Sequence, residues 1–343
     1  MLLLLLALQE VQRIPFPDER LPVFGLAWFA EDKPTLRRLP ERLKESFRKP
    51  VWDLAQHPSG GRIRFRTDSL KVGLTAQSDP SAMHHMPSVG QNGFDCYVDG
   101  EYVNSAWPDA KGKIVKTWDV GSARKLRDIT LYLPLYKAAS IQEVTLEIGA
   151  RLESPSPFAL PKPVVHYGSS ITQGGCASNA GASCQAFVSR WLNVDFVNLG
   201  FSGNGMGEPA LAAAIAEIDA ACYVLDFWGN PSPEAYEAAL PPFVDVLRKK
   251  RPATPIVVTS PFYFPGEALG GGLAQAQKRK REFARAFVDG RKDPTITFVD
   301  GLEMLSREQA AGLVDGIHAN TLGFWFNAKG LEPHLRKALG LAK

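Results

Sequence analysis

The sequence lacks three features that readily assign a chain to a functional class: concentrated positive charge, a membrane-length apolar run and a paired cysteine motif. Its 39 Lys and Arg residues nearly balance its 36 Asp and Glu residues, for a formal net charge of +3. The basic runs 249–251 and 278–281 have the spacing of solvated helix edges and form no stripe that would neutralise a phosphate backbone. We therefore expect no nucleic-acid partner.

The apolar residues that open the sequence are too few to span a membrane. Residues 1–9 read MLLLLLALQ, whereas a membrane-spanning helix needs about 20 predominantly apolar residues. No later segment is long and apolar enough, so we expect no membrane partner. We interpret residues 1–19 as a signal remnant or an N-terminal extension, although a basic flank and a clear cleavage site are missing. If residues 1–19 are a signal remnant, we expect a secreted or periplasmic protein. If they are an N-terminal extension, we expect a cytoplasmic one.

Cysteines are scarce, and the four present include no C-x-x-C pair, which argues against a structural zinc site. Cys176 and Cys184 could form a disulfide in an exported protein, but their spacing does not show whether their Cα atoms come within range. Adjacent side chains diverge in an extended segment, so the pair His84 and His85 indicates a loop, which could lie near a cleft, rather than a metal site. We expect no metal and no cofactor.

The chain is longer than one hydrophobic core usually serves and divides into two halves of different periodicity. To about residue 151, short segments alternate apolar and polar residues, which predicts antiparallel strands with one wet face, hence a β-sandwich. Examples are 62–66, 69–74 and 129–133. Residues 153–163 contain four prolines and neither periodicity, which predicts an extended linker. We therefore predict a sandwich over 20–152 and a second domain over 164–343.

The second half alternates short apolar runs with segments of helical spacing. The runs are 164–167, 196–199, 223–227, 256–259 and 296–299. One helix is predicted to begin at Pro209 and to place Leu211, Ile215, Ile218 and Cys222 on one face. This alternation predicts an α/β domain with a parallel sheet and helices on both faces. In such sheets the functional site lies at the carboxyl ends of the strands.

Residues suited to acyl-transfer chemistry follow the first three of these strands. Ser170 stands where a helix or turn begins, and free backbone N–H groups there can hold a developing negative charge. Gly203 follows the second strand in a glycine-rich loop that lacks the dinucleotide spacing G-x-G-x-x-G, and it allows the backbone to approach a substrate. Asn230 follows the third strand, and its amide is a neutral donor. Each residue alone is also typical of an ordinary turn.

A fourth signal, Asp315-x-x-His318, lies beyond the last strand. Histidine suits proton transfer near neutral pH, and a carboxylate three residues earlier can turn back to hold its ring. A single histidine is commonly structural, but these four signals together indicate a serine hydrolase. A G-x-S-x-G elbow is missing, which argues against an α/β-hydrolase.

The order Ser170, Gly203, Asn230, His318 resembles the SGNH-hydrolase superfamily of GDSL-type esterases. Segments 168–174 and 198–205 are similar to a branch in which a β-sandwich with a Gly-x-Asp-Leu-Tyr signature precedes the hydrolase domain. Gly93-Phe94-Asp95-Cys96-Tyr97 stands in that place here, with Cys for Leu.

The resemblance implies a flavodoxin-like three-layer parallel sheet preceded by an antiparallel β-sandwich. It implies Ser170 as nucleophile, His318 as base and Asp315 as its orienting acid. The oxyanion hole would comprise the N–H groups of Ser170 and Gly203 and the Asn230 side chain. Ser169 replaces the usual Asp, and Ala319 the usual Pro; neither change removes a catalytic group.

We therefore expect an esterase that forms an acyl-enzyme on Ser170 and acts on a small-molecule or polysaccharide ester. Trp228 and Phe201 flank the expected donors and would crowd a long acyl chain, so a short acyl group, above all acetyl, is favoured. Together with the sandwich domain, this favours an ester of a carbohydrate. Two alternatives remain open: a carbohydrate-binding protein with an inactive hydrolase-like domain, and a lipase or arylesterase of the same fold. The first would use first-half tryptophans to stack on sugars. They are Trp52, Trp107 and Trp118. The oligomeric state is left open.

Overall fold

The computed structural model describes residues 11–342, so the apolar run at residues 1–9 lies outside the described part. Within it, no helix has the length and apolar character needed to cross a membrane. The strands of the first half are β1 Val11–Pro15, β2 Val23–Phe24, β3 Arg62–Thr67, β4 Lys71–Ser78, β5 Phe94–Val98, β6 Glu101–Ala106, β7 Lys113–Asp119, β8 Arg127–Tyr132, β9 Ala139–Glu147 and β10 Leu152–Glu153. Its α-helices are α1 Phe29–Asp32, α2 Lys49–Ala55 and α3 Ser88–Asn92, and a 3₁₀ turn spans Glu41–Ser46.

These strands form two antiparallel sheets, in the orders β1-β9-β4-β7 and β10-β3-β8-β5-β6, with β2 paired to β3. The alternation predicted from the sequence directs Ile63 and Phe65 of β3 into the core between the sheets. The predicted β-sandwich is confirmed. Its predicted start at residue 20 is too late, because β1 pairs with β9 along its whole length and buries Ile14 completely.

The second half contains five strands and seven α-helices among its described residues. The strands are β11 Val164–Gly168, β12 Phe196–Gly200, β13 Cys222–Asp226, β14 Ile256–Thr259 and β15 Ile296–Val299. The helices are α4 Ser170–Gln173, α5 Cys184–Leu192, α6 Pro209–Glu217, α7 Pro233–Lys250, α8 Gly271–Arg291, α9 Gly301–Met304 and α10 Thr321–Ala338. Short 3₁₀ turns lie at Ala180–Ala182, Phe227–Gly229, Pro265–Leu269 and Arg307–Gly312.

All five strands run parallel in the order β12-β11-β13-β14-β15, which is the flavodoxin-like order. Helices α5 and α10 pack together, as do α6, α7 and α8, and these two groups flank the sheet. The predicted three-layer α/β fold is confirmed. Helix α6 begins at Pro209 as predicted but ends at Glu217, because Ile218 is extended and Cys222 already belongs to β13. The predicted apolar face of this helix was therefore too long.

The two domains share buried polar contacts. Arg38 is 1% exposed, donates hydrogen bonds to the carbonyl oxygens of Asn198 and Gly200, and stacks on Phe201 with its guanidinium carbon 4.7 Å from the ring centre. Arg62, also 1% exposed, pairs with Asp195. Charges this deeply buried are destabilising unless they are paired or hydrogen-bonded. Because Asn198, Gly200 and Asp195 belong to the second domain, these contacts form only with the two domains placed as they are here.

The Gly-x-Asp-x-Tyr segment provides a further link between the domains. The buried Asp95 carboxylate accepts hydrogen bonds from the Asn179 side chain (2.5 Å) and the Gly181 N–H (2.6 Å). The Tyr97 hydroxyl donates to the Gly181 carbonyl (3.2 Å). The signature thus holds the loop of the second domain that precedes α5.

Candidate active site

Ser170 is positioned by the tight turn between β11 and the single-turn helix α4. The Ser169 side chain accepts a hydrogen bond from the Ile171 N–H (3.2 Å) and so caps this helix. Gly200 allows β12 to end directly against α4, because a Cβ there would lie 2.1 Å from the Gln173 nitrogen. The Ser170 hydroxyl therefore stands at a helix start, at the carboxyl edge of the sheet.

Ser170, His318 and Asp315 form a continuous hydrogen-bonded chain. Ser170 Oγ lies 2.9 Å from His318 Nε2, and His318 Nδ1 lies 2.8 Å from Asp315 Oδ2. Asp315 Oδ1 also accepts the N–H groups of Ile317 (3.0 Å) and His318 (2.8 Å). Partial burial raises the pKa of Asp315, but the hydrogen bonds from His318 and Ile317 lower it by more, to about 2. Asp315 is therefore ionised at neutral pH and can hold the ring and stabilise an imidazolium.

The predicted oxyanion residues line the same pocket as the Ser170 hydroxyl. This pocket has a volume of about 420 Å³ and contains Ser170, Gly203, Asn230 and His318 in its wall. Gly203 adopts a left-handed φ of 68°, a conformation that favours glycine. The Asn230 carbonyl oxygen accepts the Gly205 N–H (2.9 Å), which orients the amide and leaves its NH₂ group without a partner among residues 11–342. The sequence-predicted residues are thus brought together with donors available for a developing oxyanion.

The first domain supplies part of the pocket wall, which sequence reasoning missed. Met83, His85 and Tyr136 line the pocket together with Phe264 and Ile317 of the second domain. The Tyr136 hydroxyl donates to the Ser170 carbonyl (3.1 Å). The pair His84 and His85, expected in a loop that could lie near a cleft, was the one sequence signal for this wall, and only His85 lines the pocket. His84 is exposed and outside it.

The expectation that Trp228 and Phe201 crowd the acyl site is wrong. Both side chains are buried, at 1% and 0% exposure, and neither lines the pocket. Phe201 lies under the Arg38 guanidinium, and the Trp228 ring packs edge-on against Phe262. Their chain neighbours Ser202 and Gly229 line the pocket instead.

A half-buried carboxylate holds together the elements at this edge of the sheet. Asp226, at the end of β13, accepts hydrogen bonds from Thr172 of α4 (2.8 Å), Thr259 of β14 (2.6 Å) and the Trp228 indole (2.7 Å). Burial raises its pKa. Because it joins α4 to the turn that carries Asn230, it is a positioning residue rather than a reacting group.

All four cysteines are buried and unpaired. The disulfide considered between Cys176 and Cys184 is therefore not present.

Two protein-family models match the chain and together span most of it. The model of the GDSL-like lipase/acylhydrolase family matches residues 161–336. The model of the N-terminus of SGNH hydro-type esterases matches residues 16–153. No curated protein matches the chain in sequence.

Solved structures resemble the chain over nearly its whole length. A Bacteroides ovatus ATCC 8483 protein described as a GDSL-like lipase is 28% identical with a TM-score of 0.86, over 97% of this chain and 99% of that one. The salicylyl-acyltransferase SsfX3 from a tetracycline biosynthetic pathway is 22% identical with a TM-score of 0.80, over 96% and 98%. The acetyl xylan esterase Est2A from the rumen bacterium Butyrivibrio proteoclasticus is 12% identical with a TM-score of 0.62, over 96% and 99%. For the last two, the likeness establishes a shared fold.

Proposed function

Because the chain belongs to the GDSL-like lipase/acylhydrolase family and is an ester hydrolase, we propose that Ser170 is its nucleophile and that its substrates are short-acyl esters, above all acetyl esters, of a carbohydrate. The observation that supports the nucleophile is the 2.9 Å contact between Ser170 Oγ and His318 Nε2, in a pocket open to solvent. A serine hydroxyl is a weak nucleophile until a neighbouring base takes its proton.

The proposed reaction has two halves with the same base. His318 Nε2 takes the Ser170 proton as Oγ attacks the ester carbonyl carbon, and the oxyanion is held by the N–H groups of Ser170 and Gly203 and the amide of Asn230. The C–O bond to the alcohol then breaks, and His318 returns the proton to the leaving oxygen. His318 then takes a proton from water, whose oxygen attacks the acyl carbon. The bond from the acyl carbon to Ser170 Oγ breaks, the acid leaves, and His318 returns the proton to Oγ. Throughout, Asp315 fixes the ring so that Nε2 faces Ser170.

The pocket wall supports a short acyl group and a polar alcohol. Bulky side chains of Met83, Tyr136 and Phe264 line this space of about 420 Å³ and reduce the room left for an acyl chain. The Ser202 hydroxyl lies in the same wall, where it could bond a sugar hydroxyl. An acetyl xylan esterase shares this fold, which is in keeping with a carbohydrate ester.

A p-nitrophenyl ester series tests both parts of the proposal. We expect turnover of p-nitrophenyl acetate, and a loss of about 10³-fold or more in Ser170→Ala, because the remaining site provides only the oxyanion donors. The matched control is Ser122→Ala, which truncates an exposed serine of the first domain and should keep wild-type turnover. A preference for acyl chains of about eight carbons or more would exclude the short-acyl substrate and favour a lipase. Acetate release from acetylated polysaccharides, measured by mass spectrometry, would identify the alcohol.

The alternative of a carbohydrate-binding protein has one observation in its favour: Trp107 exposes 59% of its surface on the sandwich domain. The other two tryptophans do not offer a free face, since Trp118 is 2% exposed and Arg37 lies 5.3 Å above the ring of Trp52. Polysaccharide binding that Trp107→Ala abolishes, in a chain without esterase turnover, would favour this alternative.

A further inference from the structure

Three side chains with metal-ligand chemistry meet beside the nucleophile: His85, Cys176 and His318. Their ligand atoms, two ring nitrogens and one sulfur, all lie within 4.8 Å of one another. The centres of the two histidine rings are 5.4 Å apart. The three residues come from separate parts of the fold, namely the loop before α3, the turn after α4 and the loop before α10, so only the tertiary structure assembles them.

We propose that His85, Cys176 and His318 bind a borderline-soft divalent cation such as Zn²⁺, and that the bound ion reversibly switches off the esterase. Imidazole nitrogen and cysteine sulfur are the ligands that zinc favours in proteins, whereas Mg²⁺ and Ca²⁺ favour carboxylate and carbonyl oxygens. The inhibitory part rests on the proposed function of His318 as the base. The binding part depends on the geometry alone.

Binding requires a small closure of the three ligands around the ion and a rotation of the Ser170 hydroxyl away from His318 Nε2, which it contacts at 2.9 Å in the metal-free chain. With metal–nitrogen distances of about 2.0–2.1 Å and a metal–sulfur distance of about 2.3 Å, tetrahedral ligand atoms lie about 3.5 Å apart. The ligand atoms are therefore at most about 1.3 Å too far apart. His85 is exposed and can turn its ring inward. Cys176 is 1% exposed and held at a left-handed φ of 76°, so it provides a fixed ligand position.

The partner of His318 also suits a metal ligand. Asp315 Oδ2 accepts the Nδ1 hydrogen at 2.8 Å, which leaves Nε2 as the ligand atom. A carboxylate behind a ligating imidazole is the common arrangement at protein zinc sites, where it orients the ring and raises its basicity. The hydrogen bond between Asp315 and His318 thus orients the ring for proton transfer when no ion is bound, and for coordination when an ion is bound.

Binding exchanges a proton for the ion and changes no oxidation state. The Cys176 S–H bond breaks, its proton passes to water, and the sulfur lone pair binds the cation. His318 Nε2 gives its lone pair to the same ion and can no longer accept the Ser170 proton. Water completes the tetrahedral coordination. When a chelator removes the ion, His318 Nε2 can again accept the Ser170 proton, so the inhibition is reversible.

The test titrates the metal-free, full-length chain with ZnCl₂ by calorimetry and follows p-nitrophenyl acetate turnover in parallel. We expect one ion per chain and at least tenfold inhibition that EDTA reverses. Co²⁺ in place of Zn²⁺ should produce a thiolate-to-cobalt charge-transfer band. His85→Asn alters an exposed side chain and should fold normally, and it should weaken Zn²⁺ binding at least tenfold. Cys176→Ser should do the same and abolish the cobalt band.

His84→Asn is the matched control, because it removes the neighbouring histidine that lies outside the cluster, and it should bind Zn²⁺ as the wild type does. Each variant is compared with its own metal-free turnover, so changes in basal activity cancel. Loss of binding in His84→Asn, or equal binding in the wild type and His85→Asn, would overturn the inference.

Ser170→Ala separates this inference from the proposed function. We expect it to bind Zn²⁺ and to show the cobalt band although it has no turnover. If the ion binds through Cys176 but the wild-type chain hydrolyses no ester, the metal site stands and the proposed function fails. If the wild type hydrolyses esters and Zn²⁺ neither binds nor inhibits, the metal site fails and the proposed function stands.

Discussion

Replacing Asp315 by Asn tests how much the catalytic base depends on the charge behind it. The substitution keeps an oxygen that can accept the N–H groups of Ile317 and His318, which Asp315 Oδ1 holds at 3.0 and 2.8 Å. The loop should therefore keep its shape. What is lost is the negative charge 2.8 Å from His318 Nδ1.

The structure sets the size of this effect. Opposite unit charges about 4 Å apart interact by about 4 kcal/mol at an effective dielectric constant of about 20. Since the Asp315 side chain is 35% exposed and that of His318 21%, solvent screening reduces this to about 2 kcal/mol. That corresponds to about 30-fold in rate. Asn can also donate to Nδ1 and stabilise the wrong tautomer, which costs up to about 10⁴-fold in a comparable triad.

We expect kcat/KM for p-nitrophenyl acetate to fall between about 30-fold and 10⁴-fold in Asp315→Asn, mainly through kcat. Asp109→Asn is the matched control, because Asp109 caps a turn in the same way, accepting the N–H groups of Lys111 and Lys113, on the β6–β7 loop. It should keep wild-type activity. A loss of less than threefold in Asp315→Asn would refute the assignment of this carboxylate. Because the hydrogen bonds from His318 and Ile317 lower the pKa of Asp315 to about 2, its titration should lie below the pH range in which turnover is assayed.

Three further outcomes follow from the fold and the site. Asn230→Ala should lower kcat by about 10²–10³-fold with little change in KM, since it removes one oxyanion donor; steady-state kinetics that stay within threefold of wild type would contradict this role. Asp95→Ala should lower the free energy of unfolding by about 3 kcal/mol in urea titrations, because it leaves buried donors, among them the Gly181 N–H, without an acceptor; the exposed Asp119→Ala should change little. Burial lowers the pKa of His166 to about 3, against about 6.5 when unfolded, so unfolding takes up a proton between these values and stability should rise with pH there. His166→Gln should reduce that slope by about 1.4 kcal/mol per pH unit, and an unchanged slope would show that His166 is not buried as a neutral ring.

The sequence by itself predicted the fold class and the residues proposed to react. The five buried runs and the helical spacing between them define a parallel sheet, and in such a sheet all carboxyl ends meet at one edge. Side chains that follow the strands therefore lie along one edge of the sheet, even when they are far apart in the chain. The Asp315-x-x-His318 pattern and the resemblance to SGNH hydrolases linked His318 to Ser170, 148 residues away, and the two side chains lie 2.9 Å apart.

The tertiary structure alone decided what surrounds those residues. The pocket wall takes Tyr136 and His85 from the other domain, and no local pattern connects them to Ser170. The directions of Trp228 and Phe201 likewise depended on partners far along the chain, so their predicted role was wrong. The early strand β1 was missed because five residues carry little periodicity until β9 pairs with them. Local periodicity reports which side of an element is buried, but the identity of the atoms that bury it depends on long-range packing.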